Sequence, residues 1–159
     1  FPVVQGENNL HYISRDVFGN FSLAGSIFLD SRDDPAFGEG YALLYGHHMA
    51  DGNMFGDLDR YKEERFFGEN TTGQLILPEK GYRLTVAAVL VVPASEKRIF
   101  DPEYVRAHSG NWHSFVRENA LYLREESLTE GKFLALTTCS TEFTDARTVV
   151  LTRMEGVTK

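Results

Sequence analysis

Residues 82–92, YRLTVAAVLVV, limit the fold more than any other stretch of the chain. The run is rich in β-branched and aliphatic side chains, and Thr85 interrupts its apolar part. A membrane-spanning helix needs about 20 apolar residues, so a strand fits this length better. A second aliphatic run at 74–78 precedes it, separated only by Glu79, Lys80 and Gly81. That is a hairpin-length connection with the glycine a tight turn wants, and it predicts a long antiparallel pair.

Strand-like runs recur elsewhere. Residues 21–30 (FSLAGSIFLD) form one, broken at Gly25, and 41–45 (YALLY) form a short buried one that stops at Gly46. Residues 132–139 (KFLALTTC) and 147–154 (RTVVLTRM) form two more, joined by 140–146. Asn53 is placed to cap a helix over 54–66, with Phe55, Leu58, Tyr61 and the Arg65 stem on one side. Asp101, Pro102 and Glu103 are a helix-start signature, with a capping acid, proline at the first position and an acid near the positive end of the dipole. After Gly110, Asn111 is placed to cap a second helix in which Trp112, Phe115, Val116, Asn119 and Leu123 recur at helical spacing, which marks Trp112 as core. Six or more strands, mostly in hairpin order, against two or three helices predict a closed or half-closed antiparallel barrel with helices outside.

The 159 residues, 42% of them apolar, suit a single domain over 1–159 with one core, and no linker or repeat interrupts them. A net charge of -7 argues against nucleic acid as a partner, because phosphate binding needs a positive field. The chain opens without methionine, and 1–5 lack the basic start and long apolar run of a signal peptide, so a targeting segment is expected to precede them.

The one cysteine, Cys139, excludes intrachain disulfides and sulfur-rich zinc sites. It is then either a small buried hydrophobe or a reagent. If the last two strands pair about Phe143, Arg147 lies opposite Cys139, and directly opposed Cβ atoms sit about 4.5–5.5 Å apart. A guanidinium there would favour the thiolate and donate to an oxyanion, as acyl transfer requires, or would simply cover the sheet with its stem. Thiol acyl transfer also needs a proton carrier. Of His11, His47, His48, His108 and His113, His47 follows a buried strand and a glycine, at a rim from which it could meet another strand end. A zinc site of His47, His48, Asp51 and Cys139 competes for the same residues, but adjacent side chains after a strand diverge.

At these residues the chain resembles the class B sortases. The likeness is carried by PVVQGENNLHYI (2–13), GSIFLD (25–30), YGHHMADGNMFGDLDRY (45–61) and LALTTCSTEFTDARTVV (134–150). The family's TLxTC motif stands as Leu136, Thr137, Thr138 and Cys139, with Ala135 where a threonine is common, and its arginine follows as Arg147. The helix pair between 101 and 128 is similar to the insertion that separates class B from class A.

The resemblance implies a mainly β fold with peripheral helices, a closed eight-stranded barrel with a helical insertion before the cysteine strand. It implies that Cys139 cleaves a C-terminal sorting signal after Thr, that His47 moves the protons and that Arg147 holds substrate and oxyanion. Asn9, Ile13, Tyr45, Thr137, Thr138 and Ser140 match groove positions, though Tyr45 and Ile13 could be core and Thr137 could only satisfy a strand. No metal or cofactor is implied. The implied partners are a surface protein or pilin bearing the signal and an amine of a cell-wall precursor or a pilin lysine. A monomer on the outer face of a Gram-positive plasma membrane, anchored by an N-terminal helix outside this chain, completes the expectation. A pilin polymerase, a thiol peptidase and a binding module without thiol chemistry stand as alternatives.

Overall fold

The computed structural model describes residues 1–138 and 145–157. Its strands are β1 (Val3–Val4), β2 (Ile27–Leu29), β3 (Tyr41–Gly46), β4 (Thr72–Ile76), β5 (Gly81–Pro93), β6 (Ala120–Leu123), β7 (Lys132–Thr138) and β8 (Ala146–Val157). Its helices are α1 (Glu64–Glu69), α2 (Lys97–Phe100), α3 (Pro102–Ala107) and α4 (Ser109–Asn119). The run that opened the sequence argument becomes β5, which pairs with β4, β6 and β8 at once. Pairing on both edges explains its aliphatic content, since neither face nor edge meets much water. A bulge between Val86 and Ala88 shifts its register against β8 and lets Ala87 and Ala88 both join the core.

The eight strands form one sheet in the order β1-β2-β3-β7-β8-β5-β4, with β6 on β5. Two expectations are corrected. The sheet is mixed, because β3 pairs with β7 in parallel and so does β1 with β2. It is also open, since among the described residues β1 and β4 do not pair. Pro2 offers no N–H, and the Gln5 side chain donates instead to the carbonyls of Asp30 and Asp33, so β1 ends after two paired residues. An apolar cavity of about 600 Å³, lined in part by Val4, Leu29, Leu75 and Leu77, occupies the gap.

The helical insertion before β7 is present. Asp101 caps α3 by accepting from the Tyr104 N–H at 3.1 Å, with Pro102 at the first turn. α4 begins at Ser109 rather than after Asn111, with no side-chain cap. Trp112, Phe115 and Val116 are buried against the sheet, and the indole N–H of Trp112 donates to the Arg98 carbonyl at 2.9 Å. The helix expected over 54–66 is split into a 3₁₀ helix at Gly56–Lys62 and α1. The strand expected over 21–30 is reduced to β2, because Gly25 turns the chain with φ of +60°. Leu58 and Phe67, from the split segment, pack on Val86, Val89 and Val150. The sheet is thus covered by α2–α4 on one face and by the 3₁₀ helix and α1 on the other.

Candidate active site

Three neighbouring strands converge at the end of the sheet where the sequence motifs lie. β3 and β7 run parallel with Tyr45 beside Thr137 and Gly46 beside Thr138. β7 and β8 run antiparallel with Thr137 beside Val149. This is the register expected for a pair centred on Phe143. Tyr45, Thr137 and Val149 therefore form one row across three strands. Cys139 and Ser140 lie outside the described residues; Thr138, which precedes Cys139 in the chain, ends β7 and is buried.

His47 follows directly on β3. Its backbone carbonyl accepts from the Phe55 N–H at 3.0 Å, and its ring Nε2 meets the carbonyl of Ile13. A carbonyl only accepts, so Nε2 carries the proton in this contact. The contact requires Gly25, where an added Cβ would lie 2.3 Å from the Ile13 oxygen and 2.9 Å from His47 Cδ2. Arg147, in the second position of β8, is half-buried, lies beside Val92 of β5, and donates from Nη1 to the Ala146 carbonyl at 3.2 Å.

Of the expected groove residues, Asn9 and Tyr45 meet on a group that the sequence argument did not single out. Asp30 is fully buried, and its Oδ2 accepts from Asn9 Nδ2 at 2.9 Å and from the Tyr45 hydroxyl at 3.0 Å. Arg32 adds bonds from its Nε, Nη2 and backbone N–H. Burial pushes the Asp30 carboxyl up, yet the Arg32 bonds and charge outweigh it and hold the group below its ordinary range. Burial and the Asp30 charge push Tyr45 far above the usual phenol value, so its hydroxyl stays a donor. The signal for Asp30 was an aspartate closing the apolar run GSIFLD.

Asp33, one turn further, accepts from the Leu43 N–H at 2.8 Å and from Arg106 at 2.7 Å. Burial nevertheless pushes it up to about 6. Thr137 is fully buried, and its hydroxyl donates to the Thr148 carbonyl at 3.2 Å. Ile13 is half-buried and reaches His47 through its carbonyl.

His48 goes elsewhere, since its Nε2 lies 2.7 Å from Asp59 Oδ2. Among the described residues, no three His, Cys, Asp or Glu side chains gather as metal ligands. No helix among them is long and apolar enough to cross a membrane.

Residues 1–155 match the Sortase domain family. The chain is 25% identical over 143 residues to Sortase B of Listeria monocytogenes, a match that covers 89% of this chain and 58% of that protein. It therefore spans little more than half the length of that curated relative. A solved class B sortase of Streptococcus pyogenes, involved in pilus biogenesis, is 33% identical with a TM-score of 0.87, covering 98% of this chain and 85% of the other. The solved Sortase B of Clostridium perfringens is 27% identical with a TM-score of 0.85, covering 98% and 86%.

Proposed function

The chain belongs to the sortase family and is similar to its class B members, and we propose that it is a cysteine transpeptidase that joins a protein to an amine. One observation supports this most: the shared register of β3, β7 and β8. Gly46 lies beside Thr138, so His47 and Cys139 follow in the chain from two adjacent strand ends, and Arg147 lies near the start of β8, the strand paired with the other edge of β7. Adjacent strands are about 4.8 Å apart, which favours the reading that the thiol, the imidazole and the guanidinium serve one substrate carbonyl.

The proposed reaction has two steps. The Cys139 thiolate, its proton having passed to His47, attacks the carbonyl of the Thr at the cleavage point of a sorting signal, forming a C–S bond. The peptide C–N bond breaks, and the leaving amine takes a proton from His47. The substrate protein is then held as a thioester. An incoming primary amine gives up a proton to His47, attacks the thioester carbonyl and expels the thiolate. Arg147 carries the oxyanion of both tetrahedral intermediates, where its planar fork of donors suits one or two oxygens. Asn9, Ile13, Tyr45, Thr137, Thr138 and Ser140 belong to the groove or its walls in this proposal. A monomer of one domain over 1–159, working at the outer face of a Gram-positive membrane, completes it.

The acceptor we favour is the amine of a cell-wall precursor, which anchors the substrate protein. The Streptococcus pyogenes relative, involved in pilus biogenesis, favours a second acceptor, a pilin lysine that yields a polymer. Acidic residues after His47 (Asp51, Asp57, Asp59, Glu63 and Glu64) would draw a cationic amine of either kind. The test is product analysis with a cleavable sorting peptide. A short glycine peptide at saturation should convert the product from acid to amide and raise turnover, whereas acid product alone with every amine tried would make the chain a thiol peptidase.

A further inference from the structure

Asp59 makes or breaks no bond in the proposed reaction but grips the neighbours of two of its residues. It sits in the 3₁₀ helix Gly56–Lys62, on the sheet face opposite α2–α4. Its Oδ2 lies 2.7 Å from His48 Nε2, and its Oδ1 accepts from the Thr148 hydroxyl at 2.6 Å. His48 follows His47, and Thr148 follows Arg147. Thr148 is almost fully buried, and its carbonyl receives the Thr137 hydroxyl from β7, two residues before Cys139. One carboxylate thus bridges the chain after β3 to the start of β8, and Thr148 passes the link to β7.

An exposed ion pair is ordinarily worth little, because water competes for both partners. Asp59 differs in two respects. The adjacent Leu58 is buried on Phe67, Val86 and Val150, which fixes the helix that carries the carboxylate. The Thr148 hydroxyl is buried, so it loses its only described side-chain partner if Asp59 goes. Burial pushes the Asp59 carboxyl up, but Lys62 and Thr148 outweigh it and hold the group below its ordinary range, so both oxygens remain acceptors near neutral pH.

We propose that Asp59 is a positioning residue, which sets the spacing between the segments bearing His47 and Arg147 from the face of the sheet opposite the site. This rests on the transpeptidase assignment, in which those two side chains must serve the same carbonyl. Small misplacement of reacting groups is costly, on the order of 10²-fold for 1 Å. Loss of a single bridge beneath an otherwise intact sheet should cost less.

The experiment compares Asp59→Ala, Thr148→Val, their double variant and Lys62→Ala by peptide turnover with an amine acceptor. Folded fraction is read from thermal unfolding. Lys62 reaches Asp59 at 2.8 Å but leads to neither segment, so it serves as control. The expected result is kcat per folded molecule about tenfold lower in Asp59→Ala and Thr148→Val with KM within about twofold. The double variant should be no worse than either single one, and Lys62→Ala should match the unaltered protein. Unchanged kcat per folded molecule in Asp59→Ala would overturn the proposal while leaving the transpeptidase assignment intact. If the unaltered protein turns over no sorting peptide, the assignment itself fails, and the bridge is then read by amide hydrogen exchange. Faster exchange in Asp59→Ala at both 47–56 and 146–149 supports the link, and a change at only one of them refutes it.

Discussion

Replacing Asp30 by asparagine tests the buried polar centre that holds the expected groove residues. The carboxylate accepts three bonds on Oδ2, from Asn9, Tyr45 and Arg32 Nη2, and two on Oδ1, from the Arg32 backbone N–H and Nε. Asparagine keeps the shape but turns one oxygen into an NH₂ donor. In its better orientation the amide nitrogen faces the two Arg32 donors, so at least two bonds are lost together with the charge. Hydrogen bonds to charged groups contribute about 1.5–3 kcal/mol each, and Arg32 keeps partial access to water and to Asp101, so the lower end applies and the cost should be about 3 kcal/mol. Tyr45→Phe removes one donor and leaves the others, so about 1.5 kcal/mol is expected. In urea, where m is roughly 2 kcal/mol/M for a small domain, Asp30→Asn should lower the midpoint by about 1.5 M.

The pH dependence gives an independent check on the same residue. A carboxyl held below its ordinary 3.8 in the folded chain contributes stability that is present above that value and lost as pH falls through the folded value. The gap between Asp30→Asn and the unaltered protein should therefore be full at pH 7 and shrink below about pH 4. A loss under about 1 kcal/mol, or one as large at pH 3 as at pH 7, would refute the view of Asp30 as an ionised hub.

Two further predictions concern the proposed chemistry. His47→Ala should lower turnover by about 10²-fold or more, while His48→Ala, which cuts the Asp59 bridge at its other end, should cost no more than about tenfold; kcat/KM for a sorting peptide decides, and equal losses would unseat His47. Arg147→Lys keeps the charge but loses the planar fork, so turnover should fall by about 10²-fold, on the scale of a lost oxyanion donor, and near-normal activity would reduce Arg147 to a source of positive charge.

Most of the sheet was legible because its signals are local. The hairpin at 79–81, the aliphatic strand after it and the Asp101-Pro102 start each depend on a few adjacent residues, and each stands where expected. The register of β7 against β8 was legible too, since the spacing from Cys139 to Arg147 permits a symmetric pair. The parallel pairing of β3 with β7 was not, because it joins strands almost 90 residues apart and no turn announces it. The open edge escaped for a similar reason, as it depends on where Pro2 and Gln5 spend their polar groups. Asp30 and Asp59 escaped because aspartate usually faces water, and their partners come from distant segments. His47 was picked out by its glycine and its strand end, yet the Ile13 carbonyl and the Gly25 clearance behind it are tertiary facts.

The central claim is that Cys139 carries the substrate as a thioester, and intact-protein mass spectrometry tests it directly. The protein is mixed with a cleavable sorting peptide without amine, quenched in acid and weighed, then digested to locate the adduct. The account predicts a mass increase equal to the acyl fragment, confined to Cys139, absent in Cys139→Ala and discharged on adding a primary amine. Peptide cleavage that persists in Cys139→Ala, with no adduct in the unaltered protein, would contradict it.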